Sequence, residues 1–201
     1  MVSSTPAWLN DNYLALRLTL VALLALVATT SSFALRAATE GFEVRLARTE
    51  LIDGVYHLNA EIDIEFSDAS IEALNSGVAI PIRIDMEVRR ARKWWLSETV
   101  AQLRADYELQ RHALSEQYVV KNVNLGTSRG YGSLDAAKFA IGQLEDFPLI
   151  DATLVMPPGD YLVRIRARLD IEALPAPLRP LAYISSLWRL DSDWYRWPIQ
   201  R

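Results

Sequence analysis

The chain has 201 residues, 51% hydrophobic and 23% charged, which is enough apolar material for a self-sufficient core and too much for wholesale disorder. Lys and Arg total 21 against 25 Asp and Glu, a formal charge of −4 that argues against a general nucleic-acid binder. Cysteine is absent and His57 and His112 are the only histidines, which excludes disulfides, thiolate sites, cysteine nucleophiles and multi-histidine metal centres.

In chain order, the first feature is an unbroken apolar run over residues 18–28 (LTLVALLALVA), with Arg17 before it and the small residues Ser32 and Ala34 after it. This pattern fits a signal peptide cut after Ala34. The rival is a retained anchor, because residues 18–35 are uncharged and reach the lower edge of what spans a bilayer. A third option is a buried helix of the fold. Residues 1–34 are therefore read as signal peptide or N-terminal membrane anchor, and residues 35–201 as a single domain on the far side of the membrane. The absence of cysteine argues against a lipoprotein, since there is no residue to acylate.

From Glu40 the dominant period is two, the signature of half-buried strands. Phe42, Val44 and Leu46 alternate with Glu43 and Arg45, and Asp53-Gly54 supplies a two-residue turn. Tyr56, Leu58, Ala60, Ile62, Ile64 and Phe66 then share one face, with His57, Asn59, Glu61, Asp63 and Glu65 on the other. A short helix capped by Ser67 or Asp68 and ended by Gly77 is expected next. Further strands are predicted from Ile80 to Val88, from Ala101 to Gln110 and over residues 117–123, with Trp94-Trp95 at the end of the first of these or in its turn. Residues 125–133 read as a mobile turn. Ser133 caps a helix carrying Leu134, Ala137, Ile141 and Leu144 along one stripe. Residues 150–156, 161–171 and 188–197 complete about eight strands, with one or two helical turns in the proline-punctuated stretch between the last two.

Alternation with one wet face implies antiparallel sheets. Two such sheets packed face to face bury every apolar face, so the expected fold is mainly β, an antiparallel β-sandwich of the immunoglobulin-like kind with one or two short helices. A strongly curved sheet or open barrel around the Ser133 helix is the alternative.

Several segments carry a family likeness: GVYHLNAE from Gly54, EALNSGV from Glu72, the Arg90…Trp94-Trp95 spacing, YELQRHALSEQYVV from Tyr107, LDAA from Leu134, the Tyr161–Pro180 stretch ending LPAPLRP, and WRLDSDW from Trp188. Together they resemble the domain of unknown function family 4390, a set of uncharacterised proteins of Gram-negative bacteria. The resemblance implies an exported protein, periplasmic after signal cleavage or anchored to the inner membrane with a periplasmic domain. It also implies an envelope setting, since such proteins are often encoded beside a membrane sensor kinase. It supplies no catalytic residues.

No catalytic constellation emerges from the residues either. The glycines of GTSRGYG (Gly126, Gly130, Gly132) lack the Lys-Ser/Thr of a phosphate loop and the βαβ context of a dinucleotide site. His57 sits on a polar strand face and His112 at a strand end, both read as surface residues. Glu61, Asp63 and Glu65 form a flat ladder without an encircling calcium loop, and cross-strand pairing with arginines is expected instead. No catalytic, cofactor-binding or metal residue is assigned, and no cofactor is expected.

The charges that stand out are basic. Arg89, Arg90, Arg92 and Lys93 precede Trp94-Trp95, and Arg164, Arg166 and Arg168 share one strand face. Arginine with tryptophan suits an interface that is half wet. These nine residues are the candidate interaction surface, for a membrane or envelope protein such as a sensor kinase, or for the anionic membrane surface. The competing account has the tryptophans plugging the end of the fold and the arginines pairing with Glu61, Asp63, Glu65 and Glu87. The functional expectation is a non-enzymatic envelope binding or accessory protein, with a structural envelope component and a periplasmic hydrolase as alternatives.

Overall fold

The computed structural model describes residues 41–91, 98–155 and 159–199. The expected signal or anchor over residues 1–34, and Arg92, Lys93, Trp94 and Trp95, lie outside the described residues. Nine strands form two antiparallel sheets: β1 (Gly41–Ile52), β2 (Val55–Glu65) and β7 (Gln143–Asp151) in the order β1-β2-β7, and β3 (Ile80–Ala91), β4 (Glu98–Arg111), β5 (Tyr118–Asn122), β6 (Thr127–Tyr131), β8 (Asp160–Leu169) and β9 (Tyr195–Pro198) in the order β6-β5-β4-β3-β8-β9. Three short α-helices join them, α1 (Asp68–Asn75), α2 (Leu134–Gly142) and α3 (Arg179–Ile184), with 3-10 turns at Ile171–Ala173 and Ser186–Trp188 near α3. Among the described residues the strands number nine where about eight were expected, and α3 falls in the proline-punctuated stretch where one or two helical turns were expected.

The period-two faces place the core. Leu58, Ile62 and Ile64 from β2 and Ile82, Ile84, Met86, Val163 and Ile165 from β3 and β8 join one buried cluster, and β1 touches β8 and β9. Asp53 (φ 48°) and Gly54 (φ 82°) occupy the two left-handed positions that a tight β1–β2 turn between Ile52 and Val55 requires. Ser67 and Ser133 cap α1 and α2 as their sequences foretold, each side chain accepting a backbone N–H three residues on.

Where the sequence reading and the structure differ, local backbone irregularity is the usual reason. A bulge between Val44 and Leu46 rotates the second half of β1, so Ala47 turns inward and Leu46 outward, against the simple alternation. Residues 127–131, read as a mobile turn, form β6. Its five residues (TSRGY) bury no side chain fully, and only the ladder to β5 and the turn at Gly126 (φ 68°) define the strand. The strand expected over residues 150–156 begins instead at Gln143 and ends at Asp151, where the Asp151 side chain accepts from the Thr153 N–H and starts a 3-10 turn. Bulges around Leu149 and around Glu145-Asp146, where Asp146 is left-handed at φ 47°, hid its period. The last strand is short: Trp188 closes a 3-10 turn, Asp191 makes an isolated bridge to Arg168, and pairing with β8 resumes only at Tyr195.

Helix α2 takes over where β7 leaves β2. The β2–β7 ladder stops at Glu61 opposite Gln143, and α2 packs beside the unpaired remainder of β2. Its last residue must be glycine, since a Cβ at Gly142 would lie 2.0 Å from the Ile62 carbonyl oxygen. Covering a strand edge in this way removes a site for unwanted pairing.

Candidate functional site

The outer face of the six-stranded sheet collects the charged residues that alternate with its core positions. Register sets Arg83, Asp85, Glu87 and Arg89 of β3 opposite Arg168, Arg166, Arg164 and Leu162 of β8. Arg164 donates through Nε (2.9 Å) and Nη2 (2.6 Å) to one oxygen of Glu87. Arg166 Nε (3.1 Å) and Arg168 Nε (3.0 Å) both donate to one oxygen of Asp85. Arg83 bridges Asp106 (2.6 Å) and Asp170 (2.8 Å). Burial works against the Arg83 charge, but the hydrogen bond to Asp106 and the nearby Asp170 outweigh it, so its pKa rises above the ordinary value. The indole of Trp194 stacks on this layer, its ring centre 4.1 Å from the Arg164 guanidinium carbon and 4.5 Å from that of Arg166.

Arg164, Arg166 and Arg168 therefore belong to a paired layer roofed by tryptophan. Of the acids expected to pair with these arginines, Glu87 does so, and Glu61, Asp63 and Glu65 need correction because β2 and β8 belong to different sheets. The arginines' acceptors are Glu87 and Asp85. On the other sheet Asp63 pairs with Arg45, and Glu65 with Lys138 at 3.0 Å.

At the far end of the paired layer lies a recess of about 210 Å³ lined by Arg89, Ala91, Leu162, Arg164 and Arg196. Arg196 stands opposite Arg164 in the β8–β9 ladder and is exposed, as is Leu162. Arg90 points the other way, its guanidinium 5.9 Å over the buried Tyr161 ring. Of the nine residues proposed from sequence, Arg89, Arg164, Arg166 and Arg168 share one face, Arg90 lies on the opposite face, and Arg92, Lys93, Trp94 and Trp95 lie outside the described residues. Sequence reasoning missed Arg196 and the stacking of Trp194. Alternation of Tyr195 and Trp197 with Arg196 was the available signal. Trp188 is buried, and Trp197 is half-buried with its Nε1–H donating to Thr49 Oγ1 at 3.4 Å, so both act in packing.

Among the described residues neither histidine meets a nucleophile and a carboxylate in one cleft. His57 Nδ1–H donates to the Asp146 carbonyl (3.0 Å) and Asn59 Oδ1 accepts the Asp146 N–H (3.0 Å), so this polar pair holds the left-handed bulge of β7 in place. His112 Nδ1 lies 3.2 Å from Ser115 Oγ, but on an exposed turn between β4 and β5. A larger recess of about 410 Å³ beside β2 and α2 contains Arg45, Glu61, Asp63, Glu65, Asp135 and Lys138, where Arg45 pairs with Asp63 and Lys138 with Glu65 and Asp135. Among the described residues no group of three or more Asp, Glu or His is arranged to hold a metal.

A family model described as a domain of unknown function, DUF4390, matches residues 39–198. Comparisons with curated proteins and with solved structures give no match.

Proposed function

We propose that this chain, which belongs to the DUF4390 family, is a non-enzymatic binding or accessory protein of the cell envelope. Its domain is taken to lie in the periplasm, delivered there by the apolar N-terminal segment. The finer fold proposed is an immunoglobulin-like sandwich. The orders β1-β2-β7 and β9-β8-β3-β4-β5 are those of strands A-B-E and G-F-C-C′-C″, with β6 added at the edge. Folds of this kind support many functions, so the functional reading rests on the surface and not on the architecture.

The observation that carries it is the recess at the Arg89 end of the outer face. Arg89 and Arg196 flank the apolar Leu162 and Ala91, beside Arg164 whose charge is met by Glu87, in a chain that is acidic overall. Arginine mixed with exposed apolar area is the composition of a protein-binding patch. The partner proposed is the extracytoplasmic region of a membrane protein, a sensor kinase being the kind the family's setting suggests, presenting acidic side chains. The basic residues 92–93 and the tryptophans 94–95 continue from β3 in sequence and would extend the surface.

The test is in-cell photocrosslinking from probes at positions 95 and 196, with position 125 as control, followed by identification of the captured protein. The expected outcome is one membrane protein captured at 95 and 196, the capture at 95 being lost when Arg89→Glu and Arg196→Glu are combined and the capture at 196 when Arg89→Glu is introduced. Capture equal to the control, or insensitivity to charge reversal, overturns the reading.

A further inference from the structure

One edge of the three-stranded sheet carries a segment that is complementary to itself. Among the described residues β1 pairs only with β2. The tight turn at Asp53-Gly54 makes Ile52 and Val55 a hydrogen-bonded pair, so Ile52, Glu50, Arg48 and Leu46 direct their backbone groups to β2. The intervening Leu51, Thr49 and Ala47 direct their N–H and C=O the other way, to the open side of the sheet. Proteins blunt such edges with bulges, prolines and short strands. β7 is bulged twice and contains Pro148, β9 has four residues and ends at Pro198, and the first half of β1 is bent by its bulge. Residues 46–52 have neither bulge nor proline, and they expose Leu46 (42%), Leu51 (55%) and Ile52 (38%).

We propose that this edge is the interface of a two-fold homodimer, in which residues 46–52 of two copies pair antiparallel about Thr49. The segment reads LARTELI, and its two halves are complements. With Thr49 opposite its own copy, Arg48 lies opposite Glu50 of the second copy, Ala47 opposite its Leu51, and Leu46 opposite its Ile52. Directly opposed residues share a face, so both ion pairs and the Leu46–Ile52 pairs fall on the outer face, and the Ala47–Leu51 pairs on the inner one. The backbone agrees with this register. It makes hydrogen-bonded pairs of Thr49 with Thr49 and of Ala47 with Leu51, the residues whose N–H and C=O face the open side. Charge excludes the neighbouring registers: a two-fold at Arg48 sets arginine against arginine, and one at Glu50 sets carboxylate against carboxylate. Within one chain Arg48 Nε lies 3.2 Å from Glu50, with 62% and 51% of the two side chains exposed, so two copies join their pairs into a cluster of four alternating charges. A segment whose halves match each other is the pattern of an isologous contact, and it selects a second copy over an unrelated strand. The added strand extends the three-stranded sheet in its own plane. The inference therefore does not depend on the partner proposed for the Arg89 recess, which opens on the outer face of the other sheet.

The chain has no native cysteine, so single thiols are unambiguous. The full 201-residue chain, purified in mild detergent, would carry Thr49→Cys, with Ser128→Cys on the exposed β6 edge as control. The proposed register brings the two Cα atoms at position 49 to about 5.5 Å, within disulfide reach. Mild oxidation should therefore link two chains through position 49 and not through position 128. Arg48→Glu or Glu50→Arg, each added to Thr49→Cys, sets like charges opposite one another and should slow the crosslink about tenfold. The two reversals together exchange the partners and should restore it, which also shows that neither prevents folding. No crosslink at 49, or equal crosslinking at 49 and 128, overturns the inference. A crosslink indifferent to the single reversals overturns it as well, since the chains are then held together elsewhere. Failure of the double reversal to recover the crosslink rules out this register and the interface with it.

Discussion

Glu61, Asp63 and Glu65 on β2 and Asp85 and Glu87 on β3 carry the same alternating acidic pattern, and both strands are central in their sheets. Their surroundings differ. The Asp85 and Glu87 side chains keep only 13% and 11% of their surface, under arginines from β8 and the indole of Trp194. Asp63 keeps 42% and Glu61 is exposed. The neighbours make the difference. β8 presents Arg164, Arg166 and Arg168 in register with β3, while β7 faces β2 through a ladder that is twice bulged and ends at Glu61. A carboxylate stripe thus becomes a buried network or a wet surface depending on the strand beside it.

The sharpest way to break this contrast is Asp85→Ala, which strands Arg166 and Arg168 together. Unfolding by denaturant should show a loss of about 2–4 kcal/mol, moderated because both arginines keep part of their surface in water. Asp63→Ala, made in parallel, should shift the midpoint by a small fraction of that. Equal losses would mean that the two faces are energetically alike.

Removing the roof should cost less. Trp194→Ala leaves the ion pairs of Arg164 and Arg166 in place and deletes two cation–π contacts, an expected loss of about 1–2 kcal/mol. Combined with Glu87→Ala in a double-mutant cycle, it should show coupling, because both groups hold Arg164.

The smallest effect belongs to the β2 side and to pH. Burial opposes the Lys138 charge, but hydrogen bonds to Glu65 and Asp135 outweigh it and raise its pKa above the ordinary value. A raised folded pKa contributes stability that is complete below the unfolded lysine value, about 10.4, and is lost as pH climbs through the folded value. The stability of Lys138→Met should therefore fall less steeply above about pH 10 than that of the parent chain. Parallel curves would show that the ion pairs at Lys138 are energetically idle.

Much of the fold was legible because strands advertise themselves by period. The run from Tyr56 to Phe66 is buried at every second position, as its sequence implies, and Ile82, Val163 and Ile165 are core residues for the same reason. Leu103, which the period of the strand expected from Ala101 to Gln110 places on the same face as Ala105 and Leu109, is only half-buried. Period failed where the backbone slips: the β1 bulge exchanged Leu46 for Ala47, and the two bulges of β7 concealed most of that strand. It failed also where a strand is made by pairing alone, as in β6.

The candidate site was legible only as a list of basic residues. The sequence places Arg89 and Arg164 in different strands and does not say that the strands are neighbours, nor that Arg196 completes the recess from a third. It offers Glu87 as one of four acids for the arginines, 77 residues from Arg164 in the chain, and only the register of β3 with β8 singles it out.

What the sequence determined by itself is the set of local properties: the inward face of β2, β3 and β8, the Asp53-Gly54 turn, the serine caps of α1 and α2, and the absence of thiol chemistry. These follow from side-chain period and backbone preference, which act over a few residues. What the tertiary structure decided is which charges are buried, which arginines are paired and which apolar residues remain outside. Those outcomes depend on strand order and register across long separations. They place Asp85 under Arg166 and Arg168 and leave Ile184 open to whatever lies beyond the fold.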